Sequence, residues 1–420
     1  MRILFLSHYF PPEVNAPATR TYEHCRQWVQ DGHDVTVVTC APNHPQGRVY
    51  DGYRNRICQR ETKDGIHVIR IWTFVTPNEG FFKRTLNYIS YMCSAVILSL
   101  FLPKADVVLS TSPQFFNGLA GYFVSKLRRI PWVLEIRDLW PESIVAVGAI
   151  KSRTIVRMLE WVERFAYRKA ERIVPVTDSF KAYMVNKGIE ASKIVVVKNG
   201  VDLAQYKPAD GATALAAELG LAGKFVVSYF GTHGMAHHLQ TILDAAHQLR
   251  DSNHIMFLMV GDGAERQLLV RMRDAMGLKN VMMLDQQPKN RMPEFWALSD
   301  VSLVLLKKSD LFKTVIPSKM FESLAMERPI VLGVEGESAD LLRAAQAGLC
   351  IEPQDAGQLA ARVLELSHDS ALCRRFGQNG RRFVMEHFDR VVLARKLTSV
   401  VEMVCRRSAL STAEMSIPVR

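Results

Sequence analysis

Three features of the sequence predict an α/β protein of two doubly wound domains facing a central cleft. The chain has 420 residues, more than one hydrophobic core ordinarily serves. Short apolar runs alternate with segments of helical periodicity, the pattern of a parallel sheet wound by crossover helices. That pattern pauses at Asn199-Gly200-Val201-Asp202 and Tyr206-Lys207-Pro208, a turn-and-linker composition, and then begins again.

The first domain opens on Ile3–Ser7, an apolar run too short for a signal peptide and therefore a first buried strand. The loop His8–Arg20 carries Pro11, Pro12 and Pro17 and leads into a helix reaching Gln30, after which Asp31-Gly32-His33-Asp34 turns into the strand Val35–Thr39. Ligands of such parallel units lie beyond the carboxyl ends of the strands, so this loop should face a site. Glu13 and Arg20 either meet a polar acceptor there or belong to a surface loop stiffened by the prolines. No G-x-G-x-x-G follows the strand, which argues against a dinucleotide-binding dehydrogenase. After a strand-like Ile66–Ile71 comes the most hydrophobic segment, Leu86–Leu102, introduced by Phe81-Phe82-Lys83-Arg84 and closed by Pro103-Lys104. It is short and polar-interrupted for a membrane span. It reads as a helix that is either core or laid against a bilayer.

The strand Ala105–Ser112, the helix Phe115–Lys126 and the strand Trp132–Asp138 follow. Asp138 ends a strand and either faces the site or caps the next turn, while Arg137 points to the other face and would brace the loop. A basic helix (Ser152–Ala170), a strand (Arg172–Thr177), a helix (Ser179–Lys187) and a strand (Ile194–Val197) complete the domain.

In the second domain Phe225–Phe230, Ile255–Val260, Val281–Leu284, Val301–Leu306, Ile330–Leu332 and Gly348–Ile351 are the expected strands. Glycine turns, Gly231-Thr232-His233-Gly234 and Gly261-Asp262-Gly263, follow the first two. Pro317–Met326 reads as a short amphipathic helix with Met320, Phe321, Leu324 and Ala325 inward and Pro329 closing it. Lys319 and Glu322 are neighbours in its first turns, where free amides and the helix dipole favour an anion. A phosphate could dock there, with Glu322 accepting from sugar hydroxyls; alternatively the two form an exposed ion pair on an ordinary helix. His233, His237 and His238 cluster, but the i, i+4 pair would suit zinc only on a helix and no Cys or carboxylate completes a set nearby, so no metal is expected.

Formal net charge is +11. Residues 1–200 hold 27 basic and 17 acidic side chains, and nearly the whole excess lies there. The first domain should therefore face something anionic, a membrane surface or a phosphorylated substrate, and without a recognised motif nucleic acid is not expected. Seven widely spaced cysteines with no C-x-x-C suggest reduced thiols in a cytosolic protein.

Together Asn199-Gly200-Val201-Asp202, Gly231, Gly261-Asp262-Gly263 and Pro317-Ser318-Lys319 with Glu322 resemble the retaining GT-B glycosyltransferases of family 4, over nearly the whole chain. His8-Tyr9-Phe10-Pro11-Pro12-Glu13 and the stretch Glu135–Ser143 resemble the subgroup that builds O-antigen and capsule repeat units, including N-acetyl-L-fucosamine transferases. The resemblance implies a GT-B fold of two Rossmann-like doubly wound domains: 1–202 for the acceptor, basic and membrane-facing; 203–385 for the nucleotide-sugar donor; and 386–420, a helix packing back towards the first domain and then a tail. It implies transfer of a sugar, N-acetyl-L-fucosamine or a related N-acetylated deoxyhexosamine, from a UDP-sugar to a polyprenyl-diphosphate-linked acceptor. Anomeric configuration would be retained, with no metal or other cofactor. The enzyme would be cytoplasmic and peripheral on the anionic surface of the bacterial inner membrane.

By the same resemblance Glu322 matches the second glutamate of the family's paired motif and would hold the nucleotide ribose. Gly231, Thr232, His233, His238, Gly261, Gly263, Ser318 and Lys319 are the other donor-binding positions, and Glu13, Asn15 and Arg20 the acceptor-binding ones. Asp138 and Glu322 are the expected catalytic positions; Asp138 stands about where many relatives have a His and would stabilise a cationic sugar or orient the acceptor hydroxyl. The first glutamate of the pair would fall at Thr314 and is missing, which favours a distinct sugar preference. Many relatives set Arg or Lys against the diphosphate where this chain has only His233 and His238, so neutralisation would fall partly on Lys319 and helix amides. The alternatives are a nucleotide-sugar 2-epimerase of the same fold and a non-catalytic nucleotide-sugar or lipid-binding subunit.

Overall fold

The computed structural model describes residues 1–44, 46–77, 81–112, 115–146, 150, 152–208 and 213–415. The chain forms two compact units, Met1–Lys198 with Val391–Arg420, and Asn199–Arg390. The division falls just ahead of the turn at Asn199 because that turn is stitched to the far end of its own unit. Val201 N donates to Phe388 O and Arg390 N to Val201 O, at 3.1 Å each.

In the first unit β1 (Arg2–Leu6), β2 (Asp34–Cys40), β3 (Cys58–Lys63), β4 (Ile66–Ile71), β5 (Val107–Thr111), β6 (Trp132–Ile136) and β7 (Arg172–Pro175) make one sheet ordered β3-β4-β2-β1-β5-β6-β7. Its pairs are parallel except the β3–β4 edge hairpin, which turns at Asp64-Gly65, both with positive φ as a tight hairpin requires. The helices are α1 (Ala16–Gln30), α2 (Phe81–Ser99), α3 (Phe115–Arg128), α4 (Glu142–Ala146), α5 (Arg153–Lys169) and α6 (Asp178–Asn186). In the second unit β8 (Phe225–Phe230), β9 (Ile255–Val260), β10 (Val281–Leu284), β11 (Val301–Leu305), β12 (Ile330–Gly333) and β13 (Gly348–Cys350) form a wholly parallel sheet, ordered β10-β9-β8-β11-β12-β13. Its helices are α7 (Thr213–Glu218), α8 (Gln240–Gln248), α9 (Arg266–Ala275), α10 (Met292–Leu298), α11 (Lys319–Ala325), α12 (Glu337–Ala345), α13 (Ala356–His368) and α14 (Ser370–His387). The final helix, α15 (Arg390–Met415), returns to the first unit; the expected tail at 416–420 lies outside the described residues.

Both sheets reverse their winding beside their first strand, between β1 and β5 and between β8 and β11. Loops diverge at such a switch point and leave a crevice for ligands. The strands are apolar because helices cover both faces. Leu393, Leu397, Val400, Val401 and Val404, one stripe of α15, share a core with Ile3, Phe5 and Trp28, and Trp28 Nε1 donates to Ala394 O. On α11, Met320, Phe321, Leu324 and Ala325 are fully buried, as their spacing requires. Among the described residues no helix is long and apolar enough to cross a membrane. Helix α2 buries Tyr91, Ala95 and Ser99 yet exposes an opposite apolar stripe that includes Phe82, Leu86 and Ile97, with Leu100 and Phe101 beyond its end.

Two expectations change. Ile194–Val197 makes a single bridge to Ile173 in place of a strand, and the carbonyls of Val197 and Lys198 accept from Arg20. Arg20, expected to meet an acceptor, is interior. Its Nε lies 2.8 Å from Glu135 Oε1, both side chains being 2% exposed. Glu135 Oε2 accepts from Thr111 Oγ1 at 2.6 Å. Burial alone would raise the Glu135 pKa, but the charges of Arg20 and Arg137 and these hydrogen bonds hold it below the usual carboxylate range. Arg20 thus ties α1 to β5, β6 and the segment after β7.

Replacing Arg20 with Met would strand a buried carboxylate, and a loss of about 3–5 kcal/mol of stability is expected in urea unfolding. The double variant Arg20→Met/Glu135→Leu should recover much of it; a single variant within about 1 kcal/mol of wild type would mean that the pair does not hold the strands.

Candidate functional site

In the second unit the loops after β8 and β9 touch backbone to backbone. A Cβ on Gly261, whose φ is +155°, would stand 1.9 Å from Gly231 O. On the open side of Gly231, at φ +137°, a Cβ would come within 3.0 Å of Lys319 Nζ. Glycine is therefore what lets the Lys319 ammonium lie against this turn. The Nζ is buried, 3.6 Å from the centroid of the Tyr229 ring, and has no hydrogen-bond partner among the described residues. Burial pushes its pKa down to about 7, and the charge of Glu322 one turn along α11 pulls the other way.

His233 is fully buried, its backbone held by Asp262 O and Glu265 N, and neither ring nitrogen has a partner among the described residues. Burial first, then the charges of Arg266 and Lys319, push it down to about 4. It is therefore neutral at neutral pH and is not the cation expected there. His237 is lowered to about 3 by burial and Lys319, and His238 is turned to Thr241 Oγ1, 2.9 Å away. The segment 231–239 is a turn, not a helix. Positive charge comes instead from Lys319 and from Arg266 at the start of α9. Arg266 Nη2 pairs with Asp285 and its buried Nη1 has no partner. Arg266 went unnoticed in the sequence, although it follows Gly263 by three residues. Gly263 N donates to Asp262 Oδ1, Ser318 caps α11 without a side-chain bond, and Thr232 is exposed at the mouth. Thr314, where a second glutamate would fall, bonds Leu311 O. Two cationic groups, two unbonded imidazole nitrogens and one carboxylate at a switch point can hold a diphosphate carrying a polyol.

In the first unit Asn117 Nδ2 bridges Leu6 O and Thr111 O across the switch point. Asp138 lies just beyond β6; its amide and that of Arg137 donate to Ser112 Oγ, and Arg137 Nη2 braces Ala16 O. Burial raises the Asp138 pKa to about 6, against the pull of Ser143 and the Leu139 amide. Its side chain borders a pocket lined by Phe115, Leu119, Trp140, Glu163 and Tyr167. Asn15 caps α1, its Oδ1 accepting from Ala18 N. Glu13, expected to touch an acceptor, is buried and accepts from the amides of Asn43 and His44, both at 2.9 Å.

Residues 15–200 match the glycosyl transferase 4-like domain and residues 215–383 the glycosyl transferases group 1 family. The chain belongs to the family-4 glycosyltransferases. It is 25% identical to the putative colanic acid biosynthesis glycosyl transferase WcaI of Escherichia coli K12, over 86% of this chain and 91% of that protein. It is 27% identical to an Escherichia coli UDP-Gal:alpha-D-GlcNAc-diphosphoundecaprenol alpha-1,3-galactosyltransferase, over 56% of this chain and 58% of that one. HepE of Anabaena, solved with UDP and glucose, superimposes with a TM-score of 0.72 at 18% identity, covering 96% of this chain and 99% of that one. The fold is GT-B, with two Rossmann-like domains.

An anion at Lys319 would favour its charged form. With the free pKa near 7, binding of UDP at pH 8 should take up close to one proton; UDP itself is fully ionised there. Calorimetry in buffers of different ionisation enthalpy measures this. Lys319→Met should abolish the uptake and weaken UDP about tenfold or more, as loss of a charged hydrogen bond does; uptake that persists in the variant would remove Lys319 from the site.

Proposed function

We propose that this glycosyltransferase moves a sugar from a UDP-sugar to a polyprenyl-diphosphate-linked acceptor in the synthesis of an envelope polysaccharide, with retention and without a metal. The observation that carries the reading is the buried, unbonded Lys319 Nζ beside Arg266 and His233, a seat shaped for a diphosphate within the portion that matches group 1 glycosyl transferases. The donor class is supported by HepE with its UDP, and the acceptor class by the diphosphoundecaprenol-dependent relative. In the proposed reaction the C1–O bond to the diphosphate breaks as the acceptor oxygen bonds C1 on the same face, and the acceptor's proton passes to the leaving phosphate. Lys319 and Arg266 stabilise the charge developing on the diphosphate. Glu322 receives the ribose hydroxyls, and the Asp138 carboxylate supports the oxocarbenium-like sugar. An N-acetylated deoxyhexosamine such as N-acetyl-L-fucosamine is the proposed donor sugar, on the motif resemblance of His8–Glu13 and Glu135–Ser143.

The protein is proposed to act as a peripheral protein on an anionic membrane surface. The exposed stripe of α2 is the support: Phe82 is 88% and Phe101 77% exposed, with Lys83, Arg84 and Lys104 around them. Such a face suits the headgroup–acyl boundary.

A screen of UDP-sugars on a lipid-diphosphate-GlcNAc acceptor with mass detection should yield one product heavier by a single sugar. An epimerised nucleotide sugar formed without acceptor would replace the transferase reading. Co-sedimentation with anionic vesicles should fall as salt rises and drop further in Phe82→Ser/Ile97→Ser; unchanged recovery of that variant would discard the stripe as the contact.

A further inference from the structure

A further pocket, with several polar side chains in its walls, lies within the first unit. Its walls come from the loops after β1 (His8, Tyr9), β2 (Asn43, His44) and β4 (Thr76, Pro77) and from the first turns of α2 (Arg84, Asn87, Tyr88). These are carboxyl ends of parallel strands, where such sheets receive ligands. The frame is rigid. His8 Nε2 meets Asn87 Oδ1 at 2.8 Å, Asn87 Nδ2 donates to Phe74 O, and Tyr50 OH donates to His44 O. Tyr9 packs edge-on between His8 and His44, with ring centroids 5.1 Å from each. The buried Glu13 carboxylate holds the Asn43–His44 turn from behind.

The pocket's charge is one-sided. Among the described residues no carboxylate lines it. Burial pushes His8 down to about 4, and burial with the charge of Arg84 does the same to His44, so both imidazoles are neutral hydrogen-bonding groups at neutral pH. The lining cation is Arg84. Its Nε and Nη2 donate to one phenol oxygen, Tyr88 Oη, at 3.3 and 3.1 Å, and no ion pair to it occurs among the described residues. A guanidinium that has only a phenol as partner retains donors for a doubly coordinated oxyanion, and phosphate matches that fork. The same helix exposes Phe82 and Leu86, two residues to either side of Arg84. Two residues are about 200° apart around an α-helix, so Arg84 faces the pocket while Phe82 and Leu86, side chains suited to a bilayer, stand on the opposite face within a few ångströms along the axis.

We propose that the pocket formed by His8, Tyr9, His44, Arg84, Asn87 and Tyr88 seats the diphosphate of the lipid-linked acceptor, with Arg84 as its charge partner. This rests on the acceptor class proposed above. Arg84 grips the phosphate oxygens, Tyr88 orients the guanidinium, and the neutral imidazoles and Asn87 complete a polar wall around the first sugar.

The test is calorimetric titration of the full chain with a short-chain prenyl-diphosphate-GlcNAc, with a prenyl GlcNAc glycoside lacking the diphosphate, and with UDP. In Arg84→Gln the diphosphate probe should bind at least tenfold more weakly, while the glycoside and UDP bind as to wild type. Tyr88→Phe should weaken the diphosphate probe several-fold, and serves if Arg84→Gln does not fold. Unchanged binding of the diphosphate probe, an equal loss for both lipid probes, or a loss confined to UDP would each overturn the pocket. The last would assign the pocket to the nucleotide's diphosphate. Turnover tests the reaction separately: a wild type that binds the probe through Arg84 but transfers no sugar keeps the pocket and sinks the proposed function, and transfer indifferent to Arg84 does the reverse.

Discussion

An ammonium group in a protein interior without a counter-ion is costly, and the second unit is arranged around tolerating one. Lys319 Nζ rests on the face of Tyr229, where the ring quadrupole returns part of the lost hydration. The amine fits there because Gly231 has no side chain and because Gly261 lets the next loop close behind it. The neighbouring imidazoles, His233 and His237, remain neutral and so add no repulsion. A site that leaves a cation and several donors unpaired in the free protein is set up for an anion, whose binding restores the missing hydrogen bonds without reorganising the fold. The same geometry explains why the pKa of Lys319 falls near neutrality: burial favours the amine, and a diphosphate would favour the ammonium.

The first unit has the same strand order at its centre but meets crowding at its switch point with an ion pair. Arg20 and Glu135 are both withdrawn from water, and the Thr111 hydroxyl with the carbonyls of Val197 and Lys198 completes their hydrogen bonds. Each partner is stable only with the other in place, which links four chain segments far apart in sequence. With Arg20 and Glu13 engaged in holding loops, the side chains left to face a ligand are the imidazoles, tyrosines and the guanidinium of Arg84.

Much of the fold is legible in the sequence because burial on both faces makes parallel strands read as unbroken apolar runs. All six strands of the second unit follow from that rule. Cys58–Lys63 escapes it, being an edge strand of mostly polar residues, though Asp64-Gly65 is a hairpin signal. The site is less legible for a different reason. Lys319 and Glu322 declare themselves by spacing on one helix, whereas Arg20 finds Glu135 across 115 residues and Arg266 meets His233 through a loop. Periodicity shows which face is inward; it does not show which polar residue an inward face will pair.

Helix α2 joins the two kinds of evidence. A helix with one apolar face is explained by its own core, but α2 buries one apolar face and displays another. Neither charge nor apolar area alone would localise such a protein. A basic side chain near an anionic surface contributes about 1 kcal/mol, and a fully buried Phe or Leu about 1.5–3 kcal/mol. For the few exposed residues of this stripe the two contributions are similar in size but differ in reach. Charge acts across about 10 Å and brings the basic half of the chain to the surface, while apolar contact acts only once it arrives. On the proposed reading that order matters chemically. The apolar stripe meets the surface with Arg84 at a similar height on the opposite side of α2, turned into the pocket, so the group that would bind a phosphate stands near the depth at which lipid phosphates lie.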